Sequence, residues 1–176
     1  MLRIPFVLAV ILAISPIASH ANEKPVPDGL ACPAEAGGAE LLTTAVASTE
    51  PGVAGFCVYY AYDAEDPDRT VTLTLRIGGA GYDPDTSFKA AKVERGGMSV
   101  VEERTESIAF GGLAAPATVI ALTGKEEGLG AITDVYNNLY VFRREGGRIV
   151  SLEEEYTNVS ADLRDGPREA ILGAQK

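Results

Sequence analysis

The segment Thr70-Val71-Thr72-Leu73-Thr74-Leu75-Arg76-Ile77 alternates strictly between polar and apolar residues. A period of two is typical of a β-strand that buries one face. Just before it, Phe56-Cys57-Val58-Tyr59-Tyr60-Ala61-Tyr62 is rich in aromatic and β-branched residues, which favour strands. The connection, residues 63–69, is polar and contains a proline, as a surface loop does. Together the segments predict an antiparallel hairpin.

Four further strands are predicted downstream, at about 103–110, 117–123, 132–144 and 148–156. The connections between them are short and contain glycine, which implies antiparallel neighbours. Alternation along 132–144 places Tyr136, Asn138, Tyr140 and Phe142 on one face and Val135, Asn137, Leu139 and Val141 on the other. Since both faces are largely apolar, this strand is expected at the centre of the sheet.

Three helices are predicted around these strands. Residues 34–47 are rich in Ala, Glu and Leu with apolar residues at helical spacing, Asp83-Pro84 is a helix-start signal, and Ser160 or Asp162 can cap a last helix over 161–172. The sequence therefore predicts the α+β class: a single antiparallel sheet of about six strands, flanked by helices and closed by one disulfide.

The order hairpin, helix, meander, terminal helix resembles the PsbP-like fold over about Phe56 to Leu172. The turn Gly111-Gly112-Leu113-Ala114-Ala115-Pro116-Ala117 is similar to the link between meander strands in such domains. The helix predicted over 34–47 and a bridge from Cys32 to Cys57 are not part of that pattern, and a cystatin-like helix with four strands is the alternative. The resemblance implies an accessory or assembly factor rather than an enzyme.

The N-terminus has the organisation of a signal peptide. Arg3 precedes an apolar run of nine residues, Phe6 to Ile14, which is followed by Pro16 and the small-residue sequence Ala18-Ser19-His20-Ala21. As a helix this run would span about 14 Å, roughly half the hydrocarbon thickness of a membrane. We therefore predict cleavage near Ala21, a periplasmic or secreted location and no membrane span in the mature form.

Cys32 and Cys57 are the two cysteines of the chain, and in an exported protein they are expected to form a disulfide. A reactive or metal-binding pair is less favoured, because the spacing is not CxxC and no histidine lies nearby. Lipidation of Cys32 is disfavoured by the long polar stretch that separates it from the apolar run. The predicted division is a signal peptide over 1–21, an irregular proline-rich leader over 22–33 and one α+β domain over 34–176.

Charge and histidine content exclude several classes of function. The chain has 15 Lys and Arg against 25 Asp and Glu, a formal net charge of −10, which disfavours nucleic acid and anionic lipid as partners. Its single histidine, His20, lies in the predicted signal peptide. Histidine-dependent hydrolysis and histidine-bearing zinc or haem sites are thus excluded from the mature chain, and no cofactor is predicted.

Carboxylates are what remains for catalysis, and they occur as Glu102, Glu103 and Glu106 and as the run Glu153-Glu154-Glu155. An enzyme of the hydrolase or lyase class, with Glu153 or Glu155 as base, is one alternative. In a strand these two side chains face away from Glu154, so at least one set is expected in solvent.

A second alternative is a calcium-stabilised envelope protein. Asp63, Glu65, Asp66 and Asp68 bring four carboxylates into one loop, and calcium prefers oxygen ligands. The loop has no glycine at the sixth position of an EF-hand pattern, and Pro67 restricts it, so a soluble hairpin tip explains the same residues.

Tyrosines give the remaining indication of a binding site. Tyr60, Tyr62, Tyr136 and Tyr140 lie on predicted strands, and tyrosine offers apolar area with a polar tip. Arg143, beside the turn 145–147, could contact an acidic partner or belong to a solvated hairpin end. The function expected from the sequence is an exported, non-catalytic accessory or binding domain that recognises a protein partner or small ligand through a tyrosine-lined sheet face. Packing of the sheet is the alternative explanation of these tyrosines.

Overall fold

The structure, a computed structural model, describes residues 25–127 and 132–176. The predicted signal peptide lies outside the described residues. Eight strands form one antiparallel sheet: β1 (Glu35–Ala36), β2 (Ala39–Ala45), β3 (Val53–Tyr62), β4 (Thr70–Gly78), β5 (Ser99–Phe110), β6 (Leu113–Glu127), β7 (Ile132–Arg143) and β8 (Ile149–Tyr156). Two short helices accompany them: α1 (Pro84–Lys89), which continues as π-helical turns over Ala90–Arg95, and α2 (Ala161–Gly173).

The strand order is β1-β2-β3-β4-β8-β7-β6-β5. Neighbours along the chain pair with each other everywhere except at β4, which pairs with β8, for example Leu75 with Leu152. This pairing joins the N-terminal strands to the C-terminal meander. It also places β4, β8 and β7 in the middle of the sheet, where both faces can be covered.

Helix α2 covers one face of the sheet, here called the α2 face. Ile171 and Leu172 of the helix are fully buried in a core cluster with residues of the central strands. The largest strand residues of this cluster are Tyr59, Leu73, Leu75, Phe110, Tyr140, Phe142 and Leu152. Ser160 begins the helix, since its hydroxyl accepts a hydrogen bond from the Leu163 amide at 3.3 Å.

Helix α1 covers part of the opposite face, here called the α1 face. Asp83 caps the helix and Pro84 occupies its first turn, as the sequence predicted. Phe88 of the helix packs in a second, smaller cluster with Ile120, Leu122, Leu139 and Val141. Because these residues belong to β6 and β7, the helix leaves the α1 face of β2, β3 and β4 uncovered.

The predicted α+β class with about six strands is wrong, because the described chain is mostly sheet, with eight strands and two short helices. The main error is the helix predicted over 34–47, where the structure has β1 and β2. Gly37 and Gly38, with φ of 57° and 90°, form the two-residue turn between them. Two positive φ values in succession are typical of a hairpin turn, and glycine adopts them without steric cost.

The disulfide between Cys32 and Cys57 is confirmed, with Cα atoms 6.3 Å apart. It ties the segment before β1 to strand β3, where Cys57 is fully buried. Leu30 of the same segment belongs to the α2-face core, so part of the predicted leader packs into the domain. Gln175 holds it from the other side: its side-chain amide accepts from the Ala31 amide at 3.1 Å and donates to the Ala31 carbonyl at 2.9 Å.

No helix in the described part of the chain is long and apolar enough to cross a membrane.

Replacing both Cys32 and Cys57 by alanine is expected to lower the free energy of unfolding by about 3.5 kcal/mol, because an open chain of this loop length has more unfolded conformations. Urea unfolding of the oxidised wild type and the double variant measures the difference. Reduced wild-type protein is the control and should match the variant. Equal stabilities of the oxidised protein and the variant would show that the bridge does not constrain the unfolded chain.

Candidate functional site

The tyrosines proposed from the sequence lie on two opposite faces of the sheet. Tyr60 pairs with Thr72 and, with Tyr62, points to the α1 face. Tyr140 pairs with Leu152 of the core and, with Tyr136, points to the α2 face. They therefore cannot form the single tyrosine-lined face that the sequence suggested, and each pair has its own surroundings.

Tyr60 and Tyr62 lie on the uncovered part of the α1 face. Tyr62 is 57% exposed and Tyr60 half-buried, and their ring centroids are 6.2 Å apart. We call this surface the open face, and it consists of Phe56, Val58, Tyr60, Tyr62, Thr72 and Thr74. Aromatic, β-branched and hydroxyl side chains thus line two paired strands, and neither α1 nor α2 of the described chain lies above them.

Ion pairs separate the open face from α1. Glu153 of β8 accepts from Arg76 at 2.9 Å and lies 3.1 Å from the Lys92 amine, which is also 2.7 Å from Glu155. The Asn137 side-chain amide donates to Glu155 at 2.7 Å. Both carboxylates that the sequence offered as a catalytic base are therefore neutralised by cations.

Tyr82 and Ser151 are buried together under α1. Their hydroxyl oxygens are 2.5 Å apart, and burial raises the pKa of Tyr82 to about 12. A phenol with that pKa stays protonated at neutral pH, so it acts as a hydrogen-bond donor or acceptor and not as a base.

On the α2 face, Glu154 is a fully buried carboxylate at 0% exposure. Its Oε2 accepts hydrogen bonds from the Asn138 amide at 3.0 Å and from the Tyr140 hydroxyl at 3.2 Å. Its Oε1 accepts none from the described residues, and Nη1 of Arg168 lies 3.7 Å away. The same Nη1 donates to the Tyr140 hydroxyl at 3.1 Å. Arg168 thereby links helix α2 to a buried polar group in the sheet.

Burial sets the protonation of this group. Loss of hydration raises the pKa of Glu154, and the hydrogen bond from Asn138 and the charge of Arg168 offset this only in part. Burial, followed by the neighbouring charge of Glu154, raises the pKa of the Tyr140 hydroxyl, which remains a donor.

A cavity of about 490 Å³ lies between α2 and the edge strand β5, and its lining includes Asn138, Tyr140, Arg164 and Arg168. Glu154 does not reach it, because the carboxylate is enclosed behind the side chains that bond it. Glu154 therefore cannot exchange a proton with a ligand in this cavity. Its hydrogen bonds and its contact with Arg168 instead attach α2 to the sheet.

Tyr136 also contributes to packing beside α2. Its ring stacks on that of Tyr156, with centroids 5.3 Å apart and planes 16° apart. The Arg164 guanidinium lies 5.5 Å from the Tyr156 ring centroid. Tyr136 and Tyr140, the two tyrosines of the α2 face, thus both belong to the packing between the sheet and α2.

The acidic loop proposed for calcium is organised around an arginine. Arg69 lies 3.0 Å from the Asp66 carboxylate and 3.9 Å from that of Asp63. The Asp63 carboxylate also accepts a hydrogen bond from the Glu65 amide at 2.9 Å, and the Asp66 carboxylate accepts one from the Asp68 amide at 3.3 Å. Within residues 25–127 and 132–176, no group of three or more His, Cys, Asp or Glu is placed to hold a metal.

The guanidinium of Arg143 is turned to the α1 face. It pairs with Asp85 at 2.8 Å and donates to the Thr118 hydroxyl at 3.3 Å. Its role in the structure is to join β7 to the start of α1.

Sequence reasoning named Glu154 but missed its burial, and it missed the partner Arg168. Alternation along β8 does place Glu154 opposite Glu153 and Glu155, in line with Leu152. That signal identifies it as a core-facing carboxylate once Leu152 is recognised as core. Arg168 carries no such signal, because the helix that places it contacts distant strands.

Comparisons with known proteins give little further information. No protein-family model matches the chain, and no curated protein matches it. Among solved structures, the crystal structure of LpqN, involved in cell envelope biogenesis of Mycobacterium tuberculosis, is similar with a TM-score of 0.37 and 18% identity, over 85% of this chain and 79% of that one. Both values are too low to carry a conclusion from that protein to this one.

Glu154→Gln is expected to stabilise the protein at neutral pH, because glutamine keeps the acceptor oxygen without a charge to desolvate. A raised folded-state pKa means that the stabilisation from protonated Glu154 is complete below pH 4.5 and is lost as the pH rises through the folded pKa. The difference in free energy of unfolding between the variant and the wild type should therefore grow with pH, by about 1.4 kcal/mol for each unit by which folding raises the Glu154 pKa.

Urea unfolding between pH 4 and 8 measures this difference. Glu169→Gln, on the exposed side of α2, is the matched control and should follow the wild type at every pH. If the free energy of unfolding of the wild type instead rises relative to that of Glu154→Gln as the pH rises, Arg168 compensates the buried charge in full.

Proposed function

We propose that this chain is an exported, non-catalytic binding domain that recognises a partner protein through the open face. The observation that carries the proposal is the position of Tyr60 and Tyr62 on a sheet surface that neither helix covers.

Export is supported by the order of residues 1–21, in which a cation, an apolar run and small residues follow one another. The bridge between Cys32 and Cys57 is consistent with it, because disulfides persist in oxidising compartments such as the periplasm. A binding domain of the cell envelope would meet its partner there.

A non-catalytic role is supported by the chemistry of the side chains. The single histidine of the sequence is His20, so residues 22–176 lack the commonest general base. Glu153 and Glu155 are ion-paired, and Glu154 is enclosed. None of these three carboxylates is therefore free to act as one of a catalytic acid and base pair.

The shape of the open face favours a protein over a small molecule. Small-molecule sites are concave and surround their ligand, whereas two paired strands without a covering helix form a broad surface. Tyrosine is enriched among the residues that dominate protein interfaces, since it buries a large ring at a low cost in conformational entropy.

Charge around the open face favours a partner with a basic rim. The exposed Glu40 pairs with Tyr60 at the β2 side, and the acidic loop 63–69 directly follows Tyr62. Opposite charges at the rim accelerate association and select against acidic partners. We therefore expect a basic segment of the partner to lie beside the tyrosines.

The first test is site-specific photo-cross-linking in the envelope of the native host. A benzophenone side chain at Tyr62 is expected to give a discrete adduct with a partner, because this position lies at the proposed interface. The matched control is the same side chain at Leu113, the first residue of β6, which is 75% exposed. The same adducts from both positions, or none from Tyr62, would count against the open face.

The identified partner then allows a quantitative measurement. Tyr62→Ala should weaken binding by about tenfold or more, as expected for a hot-spot tyrosine that contributes over 1.4 kcal/mol. Its own stability should change by less than about 0.5 kcal/mol, because the residue is exposed. Leu113→Ala is the control for both measurements, and an unchanged affinity of Tyr62→Ala would place the interface elsewhere.

A further inference from the structure

We propose that the β7–β8 hairpin end holds a second binding site, which takes an oxyanion, either phosphate or carboxylate, that carries an apolar group. The site is a cavity of about 560 Å³ on the α2 face. It lies at the opposite end of the sheet from loop 63–69 and on the opposite face from Tyr60 and Tyr62, and it is independent of the function proposed above.

The hairpin brings two arginines together on one face. The Arg144 amide donates to the Arg148 carbonyl at 2.8 Å, across the turn Glu145–Gly147. Both residues follow the alternation of Phe142 and Val150, which point into the α2-face core. Their side chains therefore leave the sheet in the same direction and line the same cavity.

These cations have no acidic partner in the described chain. Most described arginines and lysines lie within 4.0 Å of a carboxylate, but Arg144, Arg148 and Lys176, which all line the cavity, have no such ion pair in residues 25–127 and 132–176. Glu145 has the one acidic side chain among the lining residues. In a chain of net charge −10, two unpaired arginines in one cavity are a local reversal of charge that an anion would compensate.

The wall of the cavity is apolar. Phe110 and Phe142 are in contact, with ring centroids 4.6 Å apart and planes tilted by 43°, and Val150 continues this surface. The Arg144 guanidinium lies 4.8 Å from the Phe110 ring centroid, so it is held over an aromatic face. A ligand with an apolar group could contact these rings while its anionic group meets the arginines.

The segment before β1 lies against Arg148. A Cβ atom built on Gly29 would lie 2.5 Å from Nη1 of Arg148, and Gly29 has a φ of 83°. The positive φ favours glycine at this position, and the absence of a side chain lets the guanidinium lie close to the backbone. The disulfide and Gln175 hold this segment, so the backbone at Gly29 forms a fixed part of the cavity beside Arg148.

The chemistry of the lining defines the ligand class. Guanidinium groups bind phosphate and carboxylate oxygens with paired hydrogen bonds, which a lysine cannot reproduce. The volume is in the range of sites for small organic ligands. Such an anion could be a soluble compound or the headgroup of a lipid, and the chemistry of recognition is the same for both.

The test measures binding of phenyl phosphate, inorganic phosphate and phosphatidylglycerol vesicles to the wild type and to Arg144→Ala/Arg148→Ala. Phenyl phosphate is expected to bind at least tenfold more tightly than inorganic phosphate, and the double variant should lose at least tenfold. Vesicle binding that the double variant abolishes, without binding of phenyl phosphate, would identify a lipid headgroup as the source of the anion.

Two controls separate recognition from general charge. Arg95→Ala/Lys125→Ala removes two exposed cations elsewhere and should bind like the wild type. Arg148→Lys keeps the charge and should bind more weakly than the wild type, because it loses the paired hydrogen bonds. Equal binding by the wild type and Arg144→Ala/Arg148→Ala, with both melting temperatures measured to verify folding, would overturn the proposal, as would failure of all three probes.

Discussion

The pairing of β4 with β8 is the constraint on which the rest of the structure depends. It is the contact through which the N-terminal strands and the C-terminal meander become one sheet, and it runs from Val71 with Tyr156 to Gly78 with Ile149. Every side chain of the sheet is assigned to a face by its register, because a shift of one residue exchanges the two faces. Leu75 opposite Leu152 fixes the core under α2, and Arg76 opposite Ser151 then fixes the polar side.

The local strand patterns could be predicted, but the N-terminal hairpin could not. The alternation of 70–77 and the two faces of 132–144 agree with β4 and β7 as the structure has them. Residues 34–47 have the composition of a helix, yet pairing of β2 with β3 provides a partner that composition does not reveal. The Gly37-Gly38 dipeptide was the available signal, since two adjacent glycines favour a two-residue hairpin turn.

The sequence could predict which side chains of one strand share a face, but not which side chains of different strands do. Alternation correctly separated Tyr59 from Tyr60, and Tyr136 from Asn137. Whether Tyr60 and Tyr140 share a face depends on the number of strands between them and on each register, which are set by the pairing of β4 with β8. The burial of Glu154 depends on the same pairing and on Arg168, a residue of a helix that joins the sheet only in the folded protein.

The distribution of charge follows from this arrangement and separates the two proposed sites. Ion pairs such as Arg76 with Glu153 and Arg168 with Asp165 neutralise cations inside the fold, so the unpaired acids dominate the surface. Loop 63–69 places this excess beside Tyr62, whereas the turn 145–147 places unpaired arginines at the other end of the strands. Since exposed charges interact weakly beyond about 10 Å at moderate salt, each site attracts its ligand through its own field. A basic partner at the open face and an anion at the hairpin end would then bind at the same time, because the two sites lie on opposite faces of the sheet and neither ligand weakens the binding of the other.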